Sequence, residues 1–452
     1  MLHFRRLRAF AIDSSRILTL LIATASISIA QDSVISRPKR EHFQLSLPTK
    51  GKVVIPESEE NLIVSPDDSA PVVGRLYLTV GDHAVVLMPN GQLISLKKSQ
   101  TLPTDRPFTP LSKDEIAERL IKNEFPGFKS RKTKRYIYVY NSSDQFARGT
   151  SAILESMYPG LFRYCKGFNS NVHHPATPMI VVMFKTQGEF RQYRDVPDGL
   201  VAYYNTISNY IVMYEQSDLT EIAPQLAIKQ AISTIAHEGV HQILHNIGMQ
   251  KRLSRWPIWF TEGMADYFAP TELKRLRWKG VGLPNDLRMH ELAQHLKQFP
   301  NSSTQGQLFR ATIGAKQIDS LGYAASWATI HYLAERRRRD FSALIKDISS
   351  LEPLETSISR EHFEKHFGTD YAALEASIVD HLKSLPYADP IANQIHYVLM
   401  SQDRKRRHVF LTTSPQEIHN RKTKLKNQRH WIQSFPNRSS AQIFAKKWIN
   451  GR

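Results

Sequence analysis

The apolar and polar positions change rhythm several times along the 452 residues, and each change predicts a different kind of element. After a basic start with Arg5, Arg6, Arg8 and Arg16, residues 17–29 are largely apolar and lead into Ala30. Small residues at Ser28 and Ala30 suit signal peptidase, and the stretch is shorter than the ~20 residues of a membrane span. Residues 1–30 therefore read as a signal peptide cleaved before Gln31, with an uncleaved anchor as the alternative. Residues 31–60 are polar, with Pro38, Pro48 and Pro56 among scattered charges, which predicts a linker with little structure. Residues 61–110 turn to two-residue alternation. Residues 75–80 and 84–88 read as strands, and Pro89-Asn90-Gly91 as the turn into another strand at 92–96. This predicts a small antiparallel β module with no chemistry of its own.

From residue 111 to 385 a larger unit is expected. Residues 112–125 place Ile116, Leu120, Ile121 and Phe125 on one helical face. Residues 135–140 alternate as a strand, and residues 144–164 follow as a helix. Residues 179–184 are apolar on both faces, as in a central strand. A short helix at 190–193 and a strand at 207–214 come next. Strands alternating with helices predict an α/β arrangement. Beyond residue 223 the patterns are almost wholly helical. Residues 386–452 have weak periodicity and read as a basic C-terminal tail. No internal repeat is visible.

Charge sharpens this division. The formal net charge is +18, and from residue 386 onward thirteen Lys and Arg face three Asp and Glu. The basicity is mostly a property of the tail, so the main body is not marked as a nucleic-acid binder. The runs at 404–407 and 421–429 suit an anionic polymer such as envelope polysaccharide, lipid or nucleic acid, or simply a solvated tail. Cys165 is the single cysteine, which excludes a disulfide within the chain; its apolar surroundings read as a core position.

The candidate chemistry lies in residues 226–270. Residues 231–241 read Ala-Ile-Ser-Thr-Ile-Ala-His-Glu-Gly-Val-His, with apolar positions at helical spacing. His237 and His241 are four apart, so both rings project from one face and can reach a single zinc ion. Glu238 is the next residue round the helix, placed to take a proton from an attacking water and pass it to a leaving amine. This is the His-Glu-x-x-His pattern. A catalytic zinc usually has three protein ligands, so a third must come from elsewhere. Glu262, twenty-one positions after His241, opens a second helix-like stretch. Asp266 falls one turn later on the same face, where it can accept the free ring N–H of a histidine ligand.

Together these segments resemble the gluzincin metallopeptidases, which include thermolysin-like peptidases and the zinc aminopeptidases. They look closest to a bacterial family of secreted proteins with an uncharacterised metallopeptidase-like domain, in which the Trp-x-x-Glu-Gly-x-Ala-x-Tyr pattern of Trp259 to Tyr267 follows the zinc helix. The resemblance spans roughly residues 130–385. It implies a zincin-like fold with a mixed sheet first and a mainly helical subdomain after the active-site helix. It also implies His237, His241 and Glu262 as zinc ligands, Glu238 as general base and Asp266 behind a ligand. Tyr323, in a stretch resembling the downstream gluzincin helix, would stabilise an oxyanion, or would simply pack the helix start. The strand at 207–214 is the expected edge strand for an extended substrate. The Gly-x-Met-Glu-Asn motif that holds a free amine in zinc aminopeptidases is absent, which favours endopeptidase or another hydrolase.

Other residues read more plainly. His245 falls on the face of His241, but three ligands already suffice. His173 and His174 sit in a loop-like stretch, and Arg336 to Arg339 end a helix where cations favour the dipole. Asn141, Asn301 and Asn437 begin Asn-x-Ser triplets, which carry meaning only in a host that glycosylates. The reading is an exported zinc metallopeptidase of the periplasm, envelope or exterior acting on peptide or protein. Its rivals are a metal-binding domain without turnover and an envelope-binding protein that uses its tail. Substrate sequence and oligomeric state are not readable.

Overall fold

Alternation in residues 61–110 becomes, in a computed structural model of the chain, five strands of a six-stranded antiparallel sheet. The structure describes residues 44–451 except 67–69, 169–170, 198, 217–223, 273–276, 279, 300–304, 356–358, 404–405 and 426–427. The signal-peptide expectation and Asn301 lie outside the described residues. The strands are β1 (Val53–Val54), β2 (Asn61–Val64), β3 (Val72–Val80), β4 (His83–Leu87), β5 (Leu93–Lys97) and β6 (Thr101–Thr104), in the order β5-β4-β3-β2-β6 with β1 on β3. The expected linker is thus partly structured. Val53 and Val54 pair with Val80 and Thr79, and Leu45, Leu47 and Ile55 pack against buried Leu78 and Val80. These apolar residues are too widely spaced to show a period, yet a neighbouring sheet covers them.

The module is riveted to the main body by Arg252. Its guanidinium is buried and donates to the carbonyls of Gly91 at 2.7 Å, Ile207 at 2.8 Å and Thr206 at 2.8 Å. Tyr77 Oη donates to the carbonyl of Arg252 in turn, at 2.7 Å.

The main body opens with α1 (Lys113–Arg119) and a π-helical turn at Leu120–Glu124. It continues with β7 (Lys129–Lys132), β8 (Tyr136–Tyr140), α2 (Asp144–Lys166), β9 (Met179–Thr186), α3 (Gln187–Tyr193), β10 (Ala202–Asn205), β11 (Tyr210–Gln216) and α4 (Pro224–Asn246). The sheet runs β10-β11-β9-β8-β7, with β8, β9 and β11 parallel and both outer strands antiparallel. Successive side chains of a strand take opposite faces. In β8, Tyr136, Tyr138 and Tyr140 join the core beneath α2 and α4, while Ile137 and Val139 join the core that includes Ile116 of α1 and Phe190 of α3.

One expectation is corrected here. The strand expected at 207–214 is not an edge: β11 lies between β10 and β9. Of the two edge strands, β10 and β7, the one against α4 is β10, a four-residue run too short to stand out in the sequence. It is folded back by a turn in which Asn205 Oδ1 accepts from the N–H groups of Ile207 and Ser208, both at 2.9 Å.

The rest of the body is α5 (Ile258–Phe268), a hairpin of β12 (Thr271–Glu272) and β13 (Arg277–Trp278), α6 (Asp286–Gln298), α7 (Gln307–Gly314), α8 (Ser320–Arg336), α9 (Arg338–Ser349), α10 (Ser359–Phe367) and α11 (Tyr371–Lys383). The small hairpin interrupts what reads as almost wholly helical. Cys165 is free and buried, and burial pushes its thiol up to about 12. Among the described residues no helix is long and apolar enough to cross a membrane.

Residues 396–449 depart from the tail expectation. They form β14 (His396–Gln402), β15 (Arg407–Thr412), α12 (Pro415–Lys424), β16 (Arg429–Phe435) and α13 (Arg438–Ile449), with β14 central in an antiparallel sheet. Val398 and Met400 pack under Ala441 and Ala445 of α13.

Candidate metal centre

Helix α4 lies against the sheet and against α2, and α5 crosses it, so the centre forms between two helices. Each of the two glutamates of interest is followed by glycine. A Cβ on Gly239 would meet Leu154 Cδ2 and Met157 Cε at 2.6 Å or less, so its absence lets α4 approach α2. A Cβ on Gly263 would lie 2.7 Å from both the Ser326 carbonyl oxygen and Ile330 Cγ1, so its absence lets α5 approach α8. Trp259 and Phe260 anchor α5 in the core, with Trp259 edge-on to Phe260 and Phe363.

This packing brings His237, His241 and Glu262 together. His237 Nε2 is 3.1 Å from His241 Nε2 and 3.0 Å from Glu262 Oε2, and His241 Nε2 is 3.5 Å from that oxygen. With bonds of about 2.0–2.2 Å, the edge of a tetrahedral zinc site measures about 3.3–3.6 Å. The three ligating atoms are therefore spaced close to one face of such a site, and nitrogen and carboxylate donors are the set zinc takes. Among the described residues this is the one group of three or more such side chains that could hold an ion.

The surroundings fix the ligands. Asp266 Oδ1 is 3.0 Å from His237 Nδ1, which directs the ring's N–H to the carboxylate and its other nitrogen to Glu262 and His241. Asp266 Oδ2 accepts from Arg288 Nε of α6 at 2.6 Å. Arg288 also bonds Glu291 at 3.0 Å and lies over the Tyr323 ring, 4.9 Å from its centroid. Burial alone would raise the carboxyl of Asp266, but Arg288 and His237 outweigh it and hold it below the usual range. For Glu262, burial is likewise outweighed by His241 and His237, so it too stays ionised. Burial depresses the His237 imidazole, and hydrogen bonds to Asp266 and Glu262 more than reverse this. The centre thus favours positive charge.

Glu238 is half-buried beside the histidines. Burial raises its carboxyl despite both rings, and the backbone N–H of Tyr204 on β10 reaches it. A carboxylate with raised proton affinity suits general-base work. Tyr323 stands in the first turns of α8, which Asp319 caps by accepting from the Gly322 N–H at 2.9 Å. Its ring centroid is 6.2 Å from that of His237. Burial first, then Glu262 and Glu238, raise its phenol, so it remains a neutral donor.

His245 is not among the convergent atoms. It sits against Tyr204, with ring centroids 5.4 Å apart, and burial lowers its imidazole to about 3. His174 stacks on Phe162 at 4.4 Å, remote from the centre in sequence and partners. The role of Arg288 is not legible in the sequence. Its spacing of three from Glu291 on a helix was visible, but its bond to Asp266 depends on how α6 packs.

A family model described as a protein of unknown function, DUF1570, matches residues 231–355. The matched segment contains His237, Glu238, His241, Glu262, Asp266, Arg288 and Tyr323. No curated protein matches the chain.

Proposed function

We propose that the chain is a zinc-dependent peptidase of gluzincin type, a hydrolase acting at the α4–α5 centre. The observation that carries the reading is the convergence of His237, His241 and Glu262 with Glu238 beside them and Asp266 behind His237. Those side chains would hold one zinc ion per chain, which when bound supplies a Lewis acid for a carbonyl oxygen and makes water acidic enough to lose a proton near neutral pH. Glu238 takes that proton and delivers it to the departing amine. Tyr323 donates its O–H to the oxygen on which negative charge develops. Asp266 and Arg288 keep His237 in one tautomer and orientation. The edge strand β10, whose Tyr204 N–H touches Glu238, aligns an extended peptide by main-chain pairing. Export to the periplasm, envelope or exterior belongs to the same proposal and rests on residues 1–30 of the sequence.

The test is hydrolysis of a mixed peptide library by purified protein, beside a chelated sample and a Glu238→Gln variant. Cleavage abolished in both controls supports the reading. Bound zinc without cleavage of any peptide or protein offered would turn it toward a metal-binding domain without turnover.

A further inference from the structure

The C-terminal module segregates its charge, and the segregation follows from its topology. β14 runs from His396 to Gln402, and Gln402 faces Arg407 on β15 and Arg429 on β16. The β14–β15 turn, carrying Arg406, lies at that end. Helix α12 leaves the far end of β15 and returns before β16 begins, so Lys422 and Lys424 come back to the Gln402 end. Helix α13 does the same after β16, and Arg407 Nη1 donates to the carbonyl of Trp448 at 3.0 Å. Arg406, Arg407, Lys422, Lys424, Arg429, Lys446 and Lys447 therefore gather at one pole, and all seven are exposed, while the Arg421 guanidinium lies over Phe410 midway along β15.

The acids lie elsewhere or are engaged. Asp403, at the pole, pairs with His408 at 2.9 Å. Glu417 accepts from Thr412 and Asp389 pairs with Arg438, both at the opposite end. That opposite end is the attachment: Ala388 N donates to Asp286 of α6 at 3.1 Å, and Tyr387 Oη meets His290 at 3.0 Å. A seven-residue strand separates the two ends, about 20 Å at ~3.3 Å per residue. The cationic pole therefore points away from the main body. Two helix C-termini meet there, but each carries only about half a negative charge, far less than seven cations.

We propose that this pole docks the protein on an anionic phospholipid bilayer. It is an outer end built from a turn and two helix termini, and not a groove, so it fits a plane better than a strand. Apolar side chains stand exposed near the cations: Trp431 at 43% and, on the opposite face of β16, Ile432 at 43%, with Ile449 at 41% and Ile443 at 58% on α13. Trp431 meets Trp448 edge-on, with centroids 5.2 Å apart, and Arg407 lies over Trp448. Indole rings and aliphatic chains among cations suit a bilayer interface, whereas a nucleic-acid backbone offers exposed isoleucines nothing to bury against. The inference is independent of the hydrolytic reading.

The experiment is sedimentation of the full chain with vesicles of phosphatidylcholine alone or with about one-third phosphatidylglycerol, beside a labelled DNA duplex. Binding to the anionic vesicles only, lost at high salt, is expected. Neutralising Lys422, Lys424 and Arg429 to Gln should weaken it by about tenfold or more, with an unchanged melting profile. Lys446→Gln with Lys447→Gln serves as a second variant if the first is misfolded. Ile443→Ser with Ile449→Ser should weaken vesicle binding several-fold and leave any duplex binding unchanged. No vesicle binding, or equal binding to neutral vesicles, overturns the proposal. Duplex binding tighter than vesicle binding, indifferent to the isoleucine changes, overturns it in favour of nucleic acid.

Discussion

Arg288 Nε donates to Asp266 Oδ2 at 2.6 Å while the other oxygen of that carboxylate faces His237 Nδ1 at 3.0 Å. Asp266 is thus held from behind, and its grip on the imidazole is set by α6. Groups that orient a metal ligand typically contribute 10–100-fold in metal affinity. Asp266→Ala should therefore weaken zinc binding about 10–100-fold, and Arg288→Met by a smaller factor in the same direction. Competition against a chromophoric chelator measures both. Unaltered affinity in Asp266→Ala would remove this carboxylate from the centre.

Glu238 lies beside the ligands without being one of the convergent atoms. Glutamine keeps its size and loses its basicity. Glu238→Gln should keep the zinc and the melting temperature while hydrolysis falls by about 10²–10⁴. Loss of zinc together with activity would assign Glu238 a structural part instead.

His237 and His241 were legible because helical geometry fixes what a spacing of four means. The same holds for Glu262 and Asp266. Arg288 was not legible, because which carboxylate it meets is decided by packing between α6 and α5. β10 is not legible because Ala202-Tyr-Tyr-Asn is too short to show alternation. The module at 396–449 was hidden for another reason. Its central strand is covered on both faces, so residues 397–400 form an unbroken apolar run, while β15 and β16 carry charge and read as tail.

Gly263 joins the packing to the chemistry. A methyl group there would press on the backbone of Ser326, which cannot rotate away as a side chain can. Gly263→Ala should destabilise the fold by about 1–3 kcal/mol through overpacking, although alanine is the better helix former. Because α8 also carries Tyr323, activity should fall by more than any loss of folded protein explains. A denaturant titration beside kcat/KM checks both; a stable, fully active variant would show that α5 and α8 can part freely.

Glu124 makes stability depend on pH. Its carboxylate accepts from Tyr193 Oη at 2.7 Å and Tyr210 Oη at 3.4 Å. Burial nevertheless raises it from 4.5 to about 7, since both phenols together only partly offset the lost hydration. An acid whose folded pKa is raised binds more protons in the folded state than in the unfolded one between those two values. Stability must then fall as pH rises through that window, and the penalty is fully present above about 7. The shift corresponds to on the order of 3 kcal/mol. Glu124→Gln accepts the same hydrogen bonds and does not ionise. It should match the parent near pH 4 and exceed it in stability near pH 8. Urea midpoints at both values decide it: parallel pH profiles would mean that Glu124 stays hydrated in the folded protein.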